Sequence, residues 1–249
     1  MNITWFGHSA FRVEIGDNTL LIDPFLTGNP AFNSDFRAAT AGTTHVLLTH
    51  GHDDHIGDTL DIIRKTGAQL VANVEICSFL QGQGVKNTNP GNTGGTVKCG
   101  DFTVSFTPAL HSSSTTHDGT PVFLGSPHGL IVKRAGSPTL YHMGDTDLFS
   151  DLALVAEIHE PEIVLIPIGD RFTMGARSAA LALNLYLRPK WAIPMHYGSF
   201  KVLEPNADLF KAQMRGSSVK VIVPRSGEPL DFEGLSSPFV SVPARIFPC

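Results

Sequence analysis

Apolar residues in the first half of the chain come in short runs, several alternating with polar positions, and are broken by polar turns. Residues 3–5, 11–15 and 19–22 read as strands, and Gly16-Asp17-Asn18 between the last two is a hairpin signal. The apolar run 46–48 predicts a short buried strand. Residues 58–65 (DTLDIIRK) switch to helical spacing and end at Gly67, a residue suited to a left-handed cap. A strand over 69–72 and a helix over 74–80 follow, and the Gly- and Asn-rich stretch 82–95 reads as a loop.

The second half repeats this order. Strands are predicted over 96–99 and 102–107, then a polar loop over 112–121 (SSSTTHDGTP). Residues 129–133 and 139–142 form a hairpin pattern around Ala135-Gly136-Ser137-Pro138. A helix over 148–158 stops before Pro161, and 163–167 is a buried strand. The strongest helical segment, 176–187, is rich in Ala and Leu and is closed by Pro189. Strands over 191–194 and 219–223 flank a helix near 208–215, and the Pro-rich tail from about 224 receives no regular structure. Strands followed by helices, twice over, predict an α/β protein of two sheets with helices outside. No linker interrupts the chain, so one domain over 1–249 is expected.

Composition narrows the classes. With 249 residues and 42% hydrophobic content, the chain can bury a sizeable core. A net charge of -5 without a basic run argues against a nucleic-acid partner. Cys77, Cys99 and Cys249 are widely spaced with no C-x-x-C pair, which argues against a disulfide framework or a thiolate zinc site. No signal-peptide pattern opens the chain, and no apolar stretch nears the roughly 20 residues that span a membrane. A cytoplasmic protein without a membrane partner is expected.

The 11 histidines matter through their clustering. Thr49-His50-Gly51-His52-Asp53-Asp54-His55 follows a buried strand directly, so its imidazoles and carboxylates belong to a loop at the strand end. Alternate residues of an extended segment point the same way, so His50 and His52 can share one ion, while Asp54 and His55 reach a second. Neutral imidazole and carboxylate suit Zn²⁺, with Mn²⁺ and Fe²⁺ as alternatives. Further ligands are expected past later strands, where His111, Asp145 and His196 stand. His8 lies between two early strands as a candidate substrate contact or proton shuttle. Asp23, at another strand end, is a candidate to orient a ligand histidine or to cap a turn. His142 has two readings, a supporting residue or a plain strand residue, and His128 has no assigned place. Thr173 and Met174 either line the pocket or begin a helix.

The His-x-His-x-Asp-His string, with lone His, Asp and His after later strands, resembles the metallo-β-lactamase superfamily. Within it the chain looks like metal-dependent hydrolases related to ascorbate-phosphate lactonases. The strings Trp5-Phe6-Gly7-His8-Ser9, Gly144-Asp145-Thr146, Phe172-Thr173-Met174-Gly175 and Pro194-Met195-His196-Tyr197-Gly198 carry that likeness. The resemblance implies a four-layer αβ/βα sandwich with two metal ions at one edge. It implies that His50, His52 and His111 hold the first ion, that Asp54, His55 and His196 hold the second, and that Asp145 bridges them. One departure is Asp170, which stands where Gly-Gly would precede Phe172.

The expected activity is hydrolysis of an ester, lactone or phosphodiester bond in a small molecule by a hydroxide shared between the ions, with Asp54 or His8 passing a proton. A non-catalytic metal-binding regulator is the main alternative. A di-iron redox enzyme is disfavoured by His52, where that branch would carry an acidic residue. The apolar end, 239–249, is a candidate to pack on a second copy or on its own core.

Overall fold

A computed structural model describes residues 1–232. The first half runs β1 (Asn2–Trp5), β2 (Phe11–Ile15), β3 (Asn18–Ile22), α1 (Phe36–Thr40), β4 (His45–Leu47), α2 (Asp53–Ile56), α3 (Thr59–Thr66), β5 (Gln69–Asn73), α4 (Val74–Gly82) and β6 (Thr88–Gly91). The second half runs β7 (Thr96–Cys99), β8 (Phe102–Pro108), β9 (Ser114–His117), β10 (Thr120–Phe123), β11 (His128–Arg134), β12 (Leu140–His142), α5 (Leu152–His159), β13 (Ile163–Pro167), α6 (Ala176–Leu181), a π-helical turn (Ala182–Leu187), β14 (Trp191–Met195), α7 (Asp208–Gln213), β15 (Lys220–Val221) and β16 (Pro229–Asp231).

Two seven-stranded sheets result, in the orders β16-β1-β2-β3-β4-β5-β6 and β15-β14-β13-β12-β11-β8-β7. Each has an antiparallel half and a parallel half: β3 to β6 are parallel in one, β12 to β15 in the other. Alternation along the strands decides what each face covers. Leu20, Ile22, Leu47 and Val71 join the core shared with the second sheet. Leu21, Val46, Leu48, Leu70 and Ala72 turn the other way, onto Ile62 and Ile63 of α3 and Ile76 and Leu80 of α4. On the second sheet, α5, α6, the π turn and α7 bury Leu152, Ala179, Leu183 and Phe210. The layers are therefore helices, sheet, sheet, helices, as expected. Each fully buried aliphatic side chain contributes about 1.5–3 kcal/mol to holding them.

Four expectations need correction. The loop over 82–95 contains β6, which takes its ladder from β5 and tolerates Pro90 because it lies at the sheet edge. The loop over 112–121 contains β9 and β10, a two-stranded ribbon turning through Asp118 and Gly119, both at positive φ. The tail contains β16, which pairs with β1 with Ile3 opposite Leu230. The helix over 176–187 has the expected span, but its second half is wound wider, with Arg188 N–H bonding the Leu183 carbonyl at 2.8 Å. Cys77 and Cys99 are buried and unpaired; Cys249 and the stretch 239–249 lie outside the described residues. Among the described residues no helix is long and apolar enough to cross a membrane.

Candidate metal centre

The candidate residues follow strand ends on one edge of both sheets. His8 comes after β1, Asp23 directly after β3, the His50–His55 string after β4, His111 after β8, Asp145 after β12 and His196 directly after β14. Here the motif departs from a plain loop. Its second half is the single turn α2, with His52 just before it and Asp53 and Asp54 in its first turn, where acidic side chains suit the exposed N–H groups.

The side chains converge as two groups. The donor atoms of His50, His52 and His111 lie within 4.8 Å of one another, as do those of His8, Asp54, His55 and His196. Asp145 lies between them. Its Oδ2 is 2.9 Å from His196 Nε2, 3.3 Å from His55 Nε2, 3.6 Å from His111 Nε2 and 4.0 Å from His50 Nε2. Within the first group His50 Nε2 meets His52 Nδ1 at 2.9 Å.

The outward nitrogens of His8, His50, His52 and His55 are held by the scaffold, whereas His196 Nδ1 is buried without a hydrogen-bond partner. Asp23, with no exposed surface, contacts His55 Nδ1 at 2.7 Å and accepts from the Thr49 N–H at 2.9 Å and the Thr49 hydroxyl at 2.6 Å. Thr49 Oγ1 also lies 3.0 Å from His50 Nδ1. Ser112 Oγ lies 3.2 Å from His52 Nε2, and Ser199 Oγ lies 2.6 Å from His8 Nδ1. His8, Asp23 and His196 all adopt positive φ, at 53°, 46° and 59°. Such strain in non-glycine residues persists only where surroundings impose it, and it gathers at functional sites.

Burial and mutual charge set the protonation pattern. Burial, with His196 nearby, lowers the His8 pKa to about 4. Burial also holds His50 well below its ordinary value. Burial opposes charge on His55, but Asp145 and Asp23 outweigh it and raise its pKa well above the ordinary value. Burial opposes ionisation of Asp145 as well, and is outweighed by His196 and His55, which keep it a carboxylate. Asp54 follows the same balance, with His8 and His55 lowering its pKa.

This set fits a cation. Asp145 Oδ1 and His55 Nε2 are buried without hydrogen-bond partners, although His55 Nε2 faces Asp145 Oδ2. Buried polar atoms are normally paired, and an imidazole nitrogen and a carboxylate oxygen left unpaired among these donor groups are of the types that can receive an ion.

Other sequence candidates lie apart from these groups. Asp170 is exposed at φ 69°, with its carboxylate against Gly175. Its left-handed backbone explains why glycine suits that position and why an aspartate is tolerated there. Met174 is buried in the core and Thr173 is half-buried, both just before α6. His142 is buried within β12 and contacts the Ser9 carbonyl at 3.0 Å. His128 opens β11, buried beside Phe106, with Nε2 3.3 Å from Asn92 Oδ1. Sequence reasoning missed the roles of Thr49, Ser112 and Ser199, for which no residue-type signal exists.

This fold and this constellation define the metallo-β-lactamase superfamily, and the chain belongs to it: residues 2–196 match the beta-lactamase superfamily domain. Its place within that superfamily is among metal-dependent hydrolases. A UPF0173 metal-dependent hydrolase of Methylocella silvestris is 56% identical over 227 residues, covering 91% of this chain and 98% of that protein. One from Chelativorans sp. is 54% identical over 233 residues, covering 93% and 100%. The solved structure of a metallo hydrolase from the hyperthermophilic archaeon Ignicoccus hospitalis shares 35% identity at a TM-score of 0.82, covering 93% of this chain and 98% of that one.

Proposed function

We propose that the protein is a dinuclear metal hydrolase that cleaves an ester, lactone or phosphodiester bond in a small molecule. The carrying observation is the position of Asp145 Oδ2, within 4.0 Å of a ring nitrogen from each of His50, His55, His111 and His196. One carboxylate oxygen facing both groups is suited to bridge two ions. In this reading His50, His52 and His111 hold one ion and Asp54, His55 and His196 the other, Zn²⁺ by donor type, with Mn²⁺ or Fe²⁺ as alternatives.

Bound divalent metal supplies an activated water near neutral pH and polarises the oxygen of the scissile bond. The chain's residues do the rest. His52 and His111 are partly exposed and stand at the open side of the site. Asp54 is the proton-handling candidate that reaches outside, with 32% of its side chain exposed against none for His8. Its carboxylate, 3.0 Å from His8 Nε2, can take a proton from the attacking water and hand it to the leaving group. Phe200, 38% exposed, stacks on Phe25 and meets His8 edge-on, giving the site an apolar flank for a small organic substrate. No basic arm favours a nucleic acid.

The test is a metal count per chain with a panel of small esters, lactones and phosphodiesters. Two ions per chain and turnover within the panel are expected. Two ions with no turnover would leave only the non-catalytic reading, and a chain that binds no divalent metal would sink the proposal.

A further inference from the structure

We infer that His8 is itself a metal ligand, closing a four-residue cage with Asp54, His55 and His196, and that Ser199 positions it. This rests on the metal-centre reading above and deepens it, because it makes the two ions unequal.

Spacing is the first argument. Two donors each about 2.0–2.1 Å from one ion stand about 2.8–3.4 Å apart in octahedral or tetrahedral geometry. His8 Nε2 and Asp54 Oδ2 are 3.0 Å apart, and both lie within 4.8 Å of the donor atoms of His55 and His196. The His8 and His196 rings are 4.0 Å apart by their centroids.

The far side of the ring is the second argument. A ligand histidine characteristically donates its other N–H to a neighbouring oxygen, which fixes the tautomer and leaves the inner nitrogen with its lone pair. His55 does this toward Asp23 at 2.7 Å. His8 Nδ1 lies 2.6 Å from Ser199 Oγ, a hydroxyl that can accept its proton in the same way. With the proton on Nδ1, Nε2 turns a lone pair toward a carboxylate and two more imidazoles, a repulsive grouping that a cation resolves.

Backbone cost is the third. His8 and His196 both sit at positive φ, and their main chains are joined by His196 N–H to the His8 carbonyl at 3.0 Å. Trp5 Nε1 holds the same carbonyl at 2.9 Å. The fold thus maintains a strained residue to aim a wholly buried ring at the cage. A buried ring is poorly placed to touch substrate and well placed to ligate.

The consequence is an asymmetry. The cage of His8, Asp54, His55 and His196 is saturated by protein, whereas His50, His52 and His111 form a three-histidine set at the exposed side. Saturated sites hold metal, and sites with a vacant position react. Substrate is therefore expected to engage the ion of His50, His52 and His111.

The test loads the full chain, labelled with nitrogen-15 on histidine, with spin-active cadmium. His8 Nε2 should show cadmium coupling, as His55 and His196 Nε2 do. An uncoupled His8 beside coupled His55 and His196 overturns the inference alone; a wild-type chain that binds no metal overturns the metal-centre reading as well. Metal titrations give a second readout. Ser199→Ala should weaken one of two binding steps by about 10–100-fold and His8→Ala should weaken it further, with the other step unchanged. Two unchanged steps in both variants overturn it. Should His8→Ala fail to fold, Ser199→Ala and the wild-type coupling decide.

Discussion

Asp23 Oδ2 lies 2.7 Å from His55 Nδ1, with neither side chain exposed. The same carboxylate bonds the Thr49 N–H and hydroxyl, so one residue at the end of β3 fixes both His55 and the start of the His50–His55 string. Asp23→Asn keeps the shape and weakens the grip on His55. Metal affinity should fall about 10–100-fold while the far-ultraviolet circular dichroism stays native. Asp23→Ala additionally strands the buried Thr49 N–H and should cost about 1–3 kcal/mol in denaturant unfolding. Unchanged metal affinity in Asp23→Asn would remove this carboxylate from the centre.

Asp145→Ala should remove metal and activity together, because its Oδ2 faces donors of both groups. Elemental analysis after chelation and reloading gives the count. Retention of two ions at wild-type affinity would refute the bridging role.

Gly169 offers a test of placement without touching a donor. A Cβ there would meet the His196 carbonyl at 2.1 Å and His196 Nδ1 at 3.0 Å. Gly169→Ala should destabilise by about 1–3 kcal/mol and displace His196, lowering metal affinity along with the melting temperature. A variant with normal melting and normal metal binding would show that the backbone there yields freely.

His128 supplies a pH dependence separate from the metal donors. Burial lowers its pKa from 6.5 to about 4, against the opposing pull of Glu75. Between those values the unfolded chain binds more protons than the folded one, so stability rises with pH across that window. The contribution is fully present above about 6.5 and is lost as pH falls toward about 4. His128→Asn should flatten the stability profile between these limits by at most about 3 kcal/mol, measured by urea unfolding at several pH values. A profile as steep as wild type would place the slope in other groups.

Much of this was legible in the chain. The apolar run Leu20-Leu21-Ile22 lies in the strand predicted over 19–22, and the fold sends Leu21 to one core and its neighbours to the other. The motif histidines were visible because a run of imidazoles after a buried strand has few structural uses. What stayed hidden depends on partners distant in sequence. Thr88-Asn89-Pro90-Gly91 has turn composition and becomes β6 only because β5 offers it a ladder. Pro229 to Asp231 becomes a strand only because β1 has a free edge. Asp118-Gly119 did carry a hairpin signal, masked by Ser and Thr runs with no apolar alternation. Ser199 is one serine among many until the fold sets it 2.6 Å from His8.

Neither sheet owns the complete set of proposed donors. His8, His50, His52, Asp54 and His55 come from the first, while His111, Asp145 and His196 come from the second. A ribosome that has released β1 to β6 has made five of these eight residues and still lacks a carboxylate facing both groups. Metal capture in the complete geometry must then await His196, late in synthesis, and a bound pair of ions would act as a clasp between halves made at different times.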